Sequence, residues 1–216
     1  MKFYINTVKA WAPGIENGLG SIKNEKLSPK IEFTDAMFRR RFSQLTKMTI
    51  QVVHDVIEEV PEARDFKIVF TSFRGEIERE FAIDRMIIED RSVLPAAFSL
   101  SVFNTPIAAS TIALKMKGGY SVIFPSKASF RDALLSAAAS VLSGDEKEIL
   151  FVYADEKIPD EYRDTLGNYS STAELLPMAF ACIMSSEKKD GSIEIDSASL
   201  AETPIEFLKK AIKEPR

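Results

Sequence analysis

Between Thr34 and Pro61, apolar residues recur at three- and four-residue steps: Phe38, Phe42, Leu45, Met48, Val52, Val53, Val56 and Val60. That period marks an amphipathic helix, with Thr34 or Asp35 placed to cap it and Pro61 to stop it. At about 1.5 Å per residue such a helix is as long as a small domain is wide. It must therefore lie across a broad apolar surface, and the flanking segments supply one. Residues 2–11 and 67–73 mix β-branched and aromatic side chains, and 120–124, 149–154 and 178–184 repeat the pattern, so all five read as strands.

Helices are expected between them. One runs over 76–89, one over 106–117 with lysines in its last turn before Gly118-Gly119, and one over 128–142, rich in Ala and Leu and closed by Gly144. A short amphipathic helix is expected over 204–212. Residues 17–29 and 95–105 read as loops. Residues 155–171 form a polar connector long enough to suggest function or motion. Lys188-Lys189-Asp190-Gly191 is a hairpin signal between 178–184 and 192–195. The order implies an α/β fold: a mixed sheet with helices on both faces. No repeat or linker divides the 216 residues, so a single domain over 1–216 is expected.

Composition closes several function classes. With 28 basic and 32 acidic residues the net charge is −4, which argues against a nucleic-acid binder. No run approaches the ~18 apolar residues of a membrane span, and the start lacks the apolar core of a signal peptide, so a cytoplasmic protein is expected. One cysteine and one histidine allow no disulfide, no cysteine-built zinc site and no site needing two imidazoles. No metal or cofactor is expected.

The individual residues point the same way. Cys182 lies inside an apolar strand, with nothing to lower its pKa, and reads as inert. His54 has no recognisable nucleophile beside it and reads as a packing or surface residue. Ser185-Ser186-Glu187-Lys188 matches Ser-x-x-Lys only at a turn. Arg39, Arg40, Arg41 and Lys47 form a basic cluster on the long helix, either a solvated face or a dock for an acidic partner such as a phosphopantetheine carrier. The junction from strand 120–124 through Pro125 into the Ala-rich helix would present residues near Ser126 at a helix N-terminus, where backbone N–H groups stabilise negative charge.

Three segments carry a resemblance. They are Arg39-Arg40-Arg41-Phe42-Ser43-Gln44-Leu45-Thr46-Lys47-Met48, Pro95-Ala96-Ala97-Phe98-Ser99-Leu100-Ser101-Val102-Phe103-Asn104-Thr105-Pro106, and Ser129-Phe130-Arg131-Asp132-Ala133-Leu134-Leu135. Over nearly the whole chain the sequence resembles the N-terminal half of a beta-ketoacyl synthase, in particular the short chain-length-factor type of aryl polyene and fatty-acid-like clusters. The resemblance implies a thiolase-like half: a five-stranded mixed sheet between helices, with the C-terminal half of the synthase absent.

It also places Ser126 where an active synthase carries its cysteine nucleophile. The two catalytic histidines belong to the missing half, and Phe103 stands in place of the histidine in Ser-Val-His-Asn. The implied protein is non-catalytic alone. It would pair with an active beta-ketoacyl synthase through strand 120–124, meet an acyl carrier protein, and shape an acyl tunnel, with Phe98, Phe103, Asn104 and Phe124 as tunnel or interface candidates and Arg39, Arg40, Arg41 and Lys47 as carrier-docking candidates. Two alternatives stand beside it: a minimal acyltransferase or hydrolase using Ser126, and a homodimeric binding or scaffold protein.

Overall fold

The computed structural model describes residues 1–13, 21–22, 28–125, 129–163 and 177–212. Its strands are β1 (Lys2–Pro13), β2 (Ser21–Ile22), β3 (Lys67–Thr71), β4 (Tyr120–Ile123), β5 (Glu148–Asp155), β6 (Met178–Ser185) and β7 (Ile193–Asp196). Five of them, in the order β4-β3-β5-β6-β1, make the expected five-stranded mixed sheet. β4, β3 and β5 are mutually parallel, and β6 runs antiparallel to both β5 and β1. Two short strands widen it to seven: β2 pairs with the last residues of β1, and β7 with its first.

The helices are α1 (Ala36–Arg39), α2 (Gln44–Glu59), α3 (Ile77–Arg85), α4 (Pro95–Phe98), α5 (Thr105–Leu114), α6 (Phe130–Leu142), α7 (Asp160–Arg163) and α8 (Pro204–Ala211). They cover both faces of the sheet. On one, Leu45, Met48, Val52 and Val56 of α2 and Ile107 of α5 pack on Ile68, Phe70, Leu150 and Val152. On the other, Phe130, Leu134 and Ala138 of α6 and Phe207 and Leu208 of α8 pack on Phe151, Phe180 and Met184. Phe130, Phe151, Phe180 and Phe207 form one aromatic cluster, with ring centroids 5.3 to 6.2 Å apart, inside the favourable range for edge-on and offset pairs. Because each central strand is buried on both sides, β5 and β6 read as continuous apolar runs.

Several expectations are corrected. The helix expected over 34–60 is two helices, broken at Arg40–Ser43. Asp35 Oδ1 accepts the N–H groups of Met37 and Phe38 and caps α1, while Ser43 Oγ accepts the N–H of Thr46 at 3.0 Å and starts α2 afresh. Arg39, Arg40 and Arg41 thus lie at the end of α1 and in the turn, and only Lys47 is on the long helix. The hairpin does not form: β6 and β7 both pair with β1, which lies between them, although Gly191 does take the left-handed turn conformation. The loop expected over 95–105 contains α4, and the one over 17–29 contains β2. Helix 76–89 ends at Arg85 and continues as a π-turn, Met86–Asp90.

Candidate functional site

In an open α/β sheet, ligands meet the carboxyl ends of the parallel strands. Here that edge gathers the segment after β3, Phe124 after β4, and Asp155 and Glu156 at the end of β5. The entry to α6 also lies there; Ser126 falls outside the described residues, and the first described turn shows Ser129 Oγ accepting the N–H of Asp132 at 3.3 Å.

Asp155, 1% exposed, organises the edge. Its Oδ1 accepts the Ser72 hydroxyl at 2.7 Å and the Arg74 N–H at 3.2 Å, and its Oδ2 accepts the Tyr153 hydroxyl at 2.6 Å and the Phe73 N–H at 3.0 Å. Ser72 Oγ in turn accepts the N–H of Gly75 at 2.8 Å. One carboxylate thereby immobilises the turn 72–75.

Next to it lies a buried acid pair, Glu76 and Glu156. Glu76 accepts hydroxyls from Ser43 at 2.8 Å and Thr46 at 2.5 Å and pairs with Arg79 at 3.2 Å. Glu156 accepts the N–H of Glu78 at 3.1 Å. Burial first, and the Glu76 charge second, push the Glu156 carboxyl up to about 8. At neutral pH the Glu156 carboxyl therefore keeps its proton.

The expected tunnel residues separate into two groups. Phe103 packs against Phe70 and Phe124, with centroids 6.3 and 5.2 Å apart, and its ring lies against Gly75. Asn104 donates from Nδ2 to the Tyr120 hydroxyl at 3.0 Å, tying the start of α5 to β4. It also lines an open groove of about 230 Å³, together with Phe38, Arg41, Phe42, Leu100, Val102 and Ile112. Phe98 is 58% and Phe124 66% exposed, so neither belongs to the core.

The basic residues also part company. Arg39 donates to the Thr34 carbonyl at 2.9 Å and serves the α1 turn, whereas Arg40 and Arg41 are exposed, and Lys47 is half-buried.

Cys182 is fully buried in β6, and burial raises its thiol well above the usual range. His54 stacks on Phe33 with centroids 3.6 Å apart, as a packing residue on the outside of α2. No described helix is long and apolar enough to cross a membrane. Sequence reasoning missed Ser43, Thr46, Ser72, Gly75, Glu76, Asp155 and Glu156; the available signal was Asp155-Glu156 directly ending a buried strand, where two solvated acids are not expected.

A mixed sheet of this order, helix-covered on both faces with its polar site at the carboxyl edge, defines a thiolase-like α/β protein. The family profile described as "Beta-ketoacyl synthase, N-terminal domain" matches residues 11–210, and the chain belongs to that family. No curated protein matches it.

Among solved structures, it is similar to a chain of the ketosynthase ApeO in complex with its chain length factor ApeC from Xenorhabdus doucetiae. That match has 22% identity and TM-score 0.71, over 87% of this chain and 80% of that one. The ishigamide ketosynthase/chain length factor matches at 17% identity and TM-score 0.53, over 74% of this chain and 46% of that one. A beta-ketoacyl synthase from Burkholderia phymatum matches at 12% identity and TM-score 0.54, again over 74% and 46%. The chain spans less than half the length of the last two, and at these identities the likeness is one of fold. Its fold is ketosynthase-like.

Proposed function

We propose that this chain is a chain-length-factor subunit, without condensing activity of its own, that pairs with an active beta-ketoacyl synthase and helps to contain the acyl chain in fatty-acid-like or polyene synthesis. The observation that carries the reading is the union of groove and edge strand: Asn104 lines the one and is hydrogen-bonded to Tyr120 of the other. At about 230 Å³ the groove is below the roughly 300–1,000 Å³ of a self-sufficient ligand pocket, and it is open, so a facing surface would complete it.

β4 is the edge of the sheet among the described residues. Tyr120, Phe124, Val102 and Ile112 leave apolar surface uncovered around it. An uncovered apolar edge calls for a pairing strand. Cys182, sealed in β6, has no nucleophilic role, and the fold is shared with ketosynthase–chain length factor complexes, in keeping with a paired subunit. Arg40, Arg41 and Lys47 are the carrier-facing candidates, with Arg41 on the rim of the groove.

Co-expression with the synthases of its own genome tests this. Co-purification with one of them, lost in I112E/F124E while the circular dichroism of the subunit is unchanged, is the expected result. A chain that forms only homodimers supports the scaffold reading instead, and an acyl adduct on Ser126 by mass spectrometry supports the acyltransferase.

A further inference from the structure

One wall of the groove is held loosely by its own backbone. Arg41 and Phe42, in the turn between α1 and α2, line the groove, and the Phe42 ring packs edge-on against Phe38, with centroids 4.5 Å apart, in one cluster with Ala109 and Leu100. Within the turn the Arg41 N–H reaches the Phe38 carbonyl at 3.3 Å and the Phe42 N–H the Arg39 carbonyl at 3.5 Å, both beyond the usual range of an N–H···O bond. The shorter bonds to the turn come from α3 and the residue before it. Arg79 donates from Nη2 to the Arg41 carbonyl at 3.0 Å and from Nε to Glu76 Oε2 at 3.2 Å, while Glu76 Oε1 accepts the Ser43 hydroxyl at 2.8 Å.

These bonds are charge-assisted and shielded from salt, because Glu76 is fully buried and Arg79 only 20% exposed. They also have a fixed base. Glu76 directly follows the turn 72–75, which Asp155 ties to the end of β5. Neither Glu76 nor Arg79 lines the groove, so both reach it only through the turn that carries Arg41 and Phe42.

We propose that Glu76 and Arg79 are positioning residues for the surface on which the partner synthase closes: the buried pair registers the Arg41–Phe42 wall to the sheet, and so sets the fit of the groove to its partner. The inference rests on the pairing reading above. Arg79→Met keeps the apolar stem but gives up both bonds. In methyl NMR spectra of the isolated chain, R79M is expected to move Leu100 and Ile112, which line the groove, while Ile149 and Ile195 in the core of the opposite face stay in place. E76Q leaves Arg79 its bond to the Arg41 carbonyl without a carboxylate to fix it, so the same signals should move the same way by less, and R79M/E76Q should match R79M. Thr46→Val is the control for mere destabilisation. It removes a bond to Glu76 that does not involve Arg79, so it should lower Tm and leave the groove signals alone.

Binding of the co-purifying synthase should follow the same order: weakened roughly tenfold in R79M, less in E76Q, and unchanged in T46V. Groove signals that stay put in R79M, or that T46V moves as far as R79M does, overturn the inference whether or not a synthase binds. So do groove signals that move in R79M while the synthase binds it with wild-type affinity. If no synthase binds even the wild type, it is the pairing reading that falls, and the inference with it.

Discussion

Glu156 makes the stability of this protein depend on pH in the direction opposite to that of most carboxylates. In the fold it keeps its proton to about pH 8, against an ordinary 4.5. Between those values the folded state binds one proton more than the unfolded chain, so stability is fully present below pH 4.5 and is lost as pH rises through about 8. At about 1.4 kcal/mol per pH unit, the span from 4.5 to about 8 is worth on the order of 5 kcal/mol. That is a large fraction of the roughly 5–15 kcal/mol that separates folded from unfolded in a typical domain.

Glu156→Gln keeps the shape and the acceptor for the Glu78 N–H but cannot ionise. Urea denaturation from pH 5 to 9, at fixed ionic strength, is the assay. The wild type is expected to lose several kcal/mol across that range, while E156Q stays nearly level and is the more stable protein at pH 9. Glu80, whose carboxyl is also raised, by burial and then by Asp84 and Glu76, leaves a small residual slope of the same sign. A wild-type curve flat to within about 1 kcal/mol, or an E156Q curve falling in parallel with it, refutes the account. Glu76→Gln is the control with a different outcome. It removes the second cause of the shift, so the Glu156 transition moves to lower pH even though the variant, in which Arg79 keeps the Arg41 carbonyl but loses its carboxylate, is less stable overall.

Cys182, buried in β6 with its thiol raised, should be inert to thiol reagents in the native protein and react fully once urea unfolds it; native-state labelling at the unfolded rate contradicts its place in the core. At Gly118 an ideal Cβ would collide with the Phe66 carbonyl oxygen, a backbone atom that cannot step aside, so Gly118→Ala should cost about 3 kcal/mol, the upper end of overpacking penalties, in denaturant melts. R40E/R41E should weaken binding of an acyl carrier protein and flatten its salt dependence without moving Tm, whereas Arg39→Ala, which loses bonds to backbone carbonyls, should lower stability by about 1 kcal/mol and leave carrier binding alone.

The parts of this fold that announce themselves in sequence are those whose causes are local and repeated. Five apolar runs became the five strands of the main sheet, and the spacing of Leu45, Met48, Val52 and Val56 put α2 on it, because burial on one face forces a period that any reader can count. What failed to show was decided by single polar atoms. One hydroxyl, on Ser43, was enough to cut the long helix in two, since a cap at that position satisfies an N–H that a continuous helix would have left to the preceding turn.

The hairpin failed for a related reason. Asp190-Gly191 turns the chain as its chemistry requires, but a turn dictates only a change of direction, and it was β1 that claimed both neighbouring edges. The buried acids were hidden because their partners are remote. Ser72 meets Asp155 across 83 positions and Thr46 meets Glu76 across 30, so nothing within a short window marks them as anything but loop residues. The resemblance to a synthase half did direct attention to Phe103, which packs on Phe124 where β4 ends, and to Asn104, which is bonded to Tyr120 where β4 begins. It could not say what holds them there. A carboxylate at the end of β5, a serine and a glycine after β3 and an aromatic ring before α5 converge only after the sheet has formed. That is why the candidate side chains were legible before the structure and their support was not.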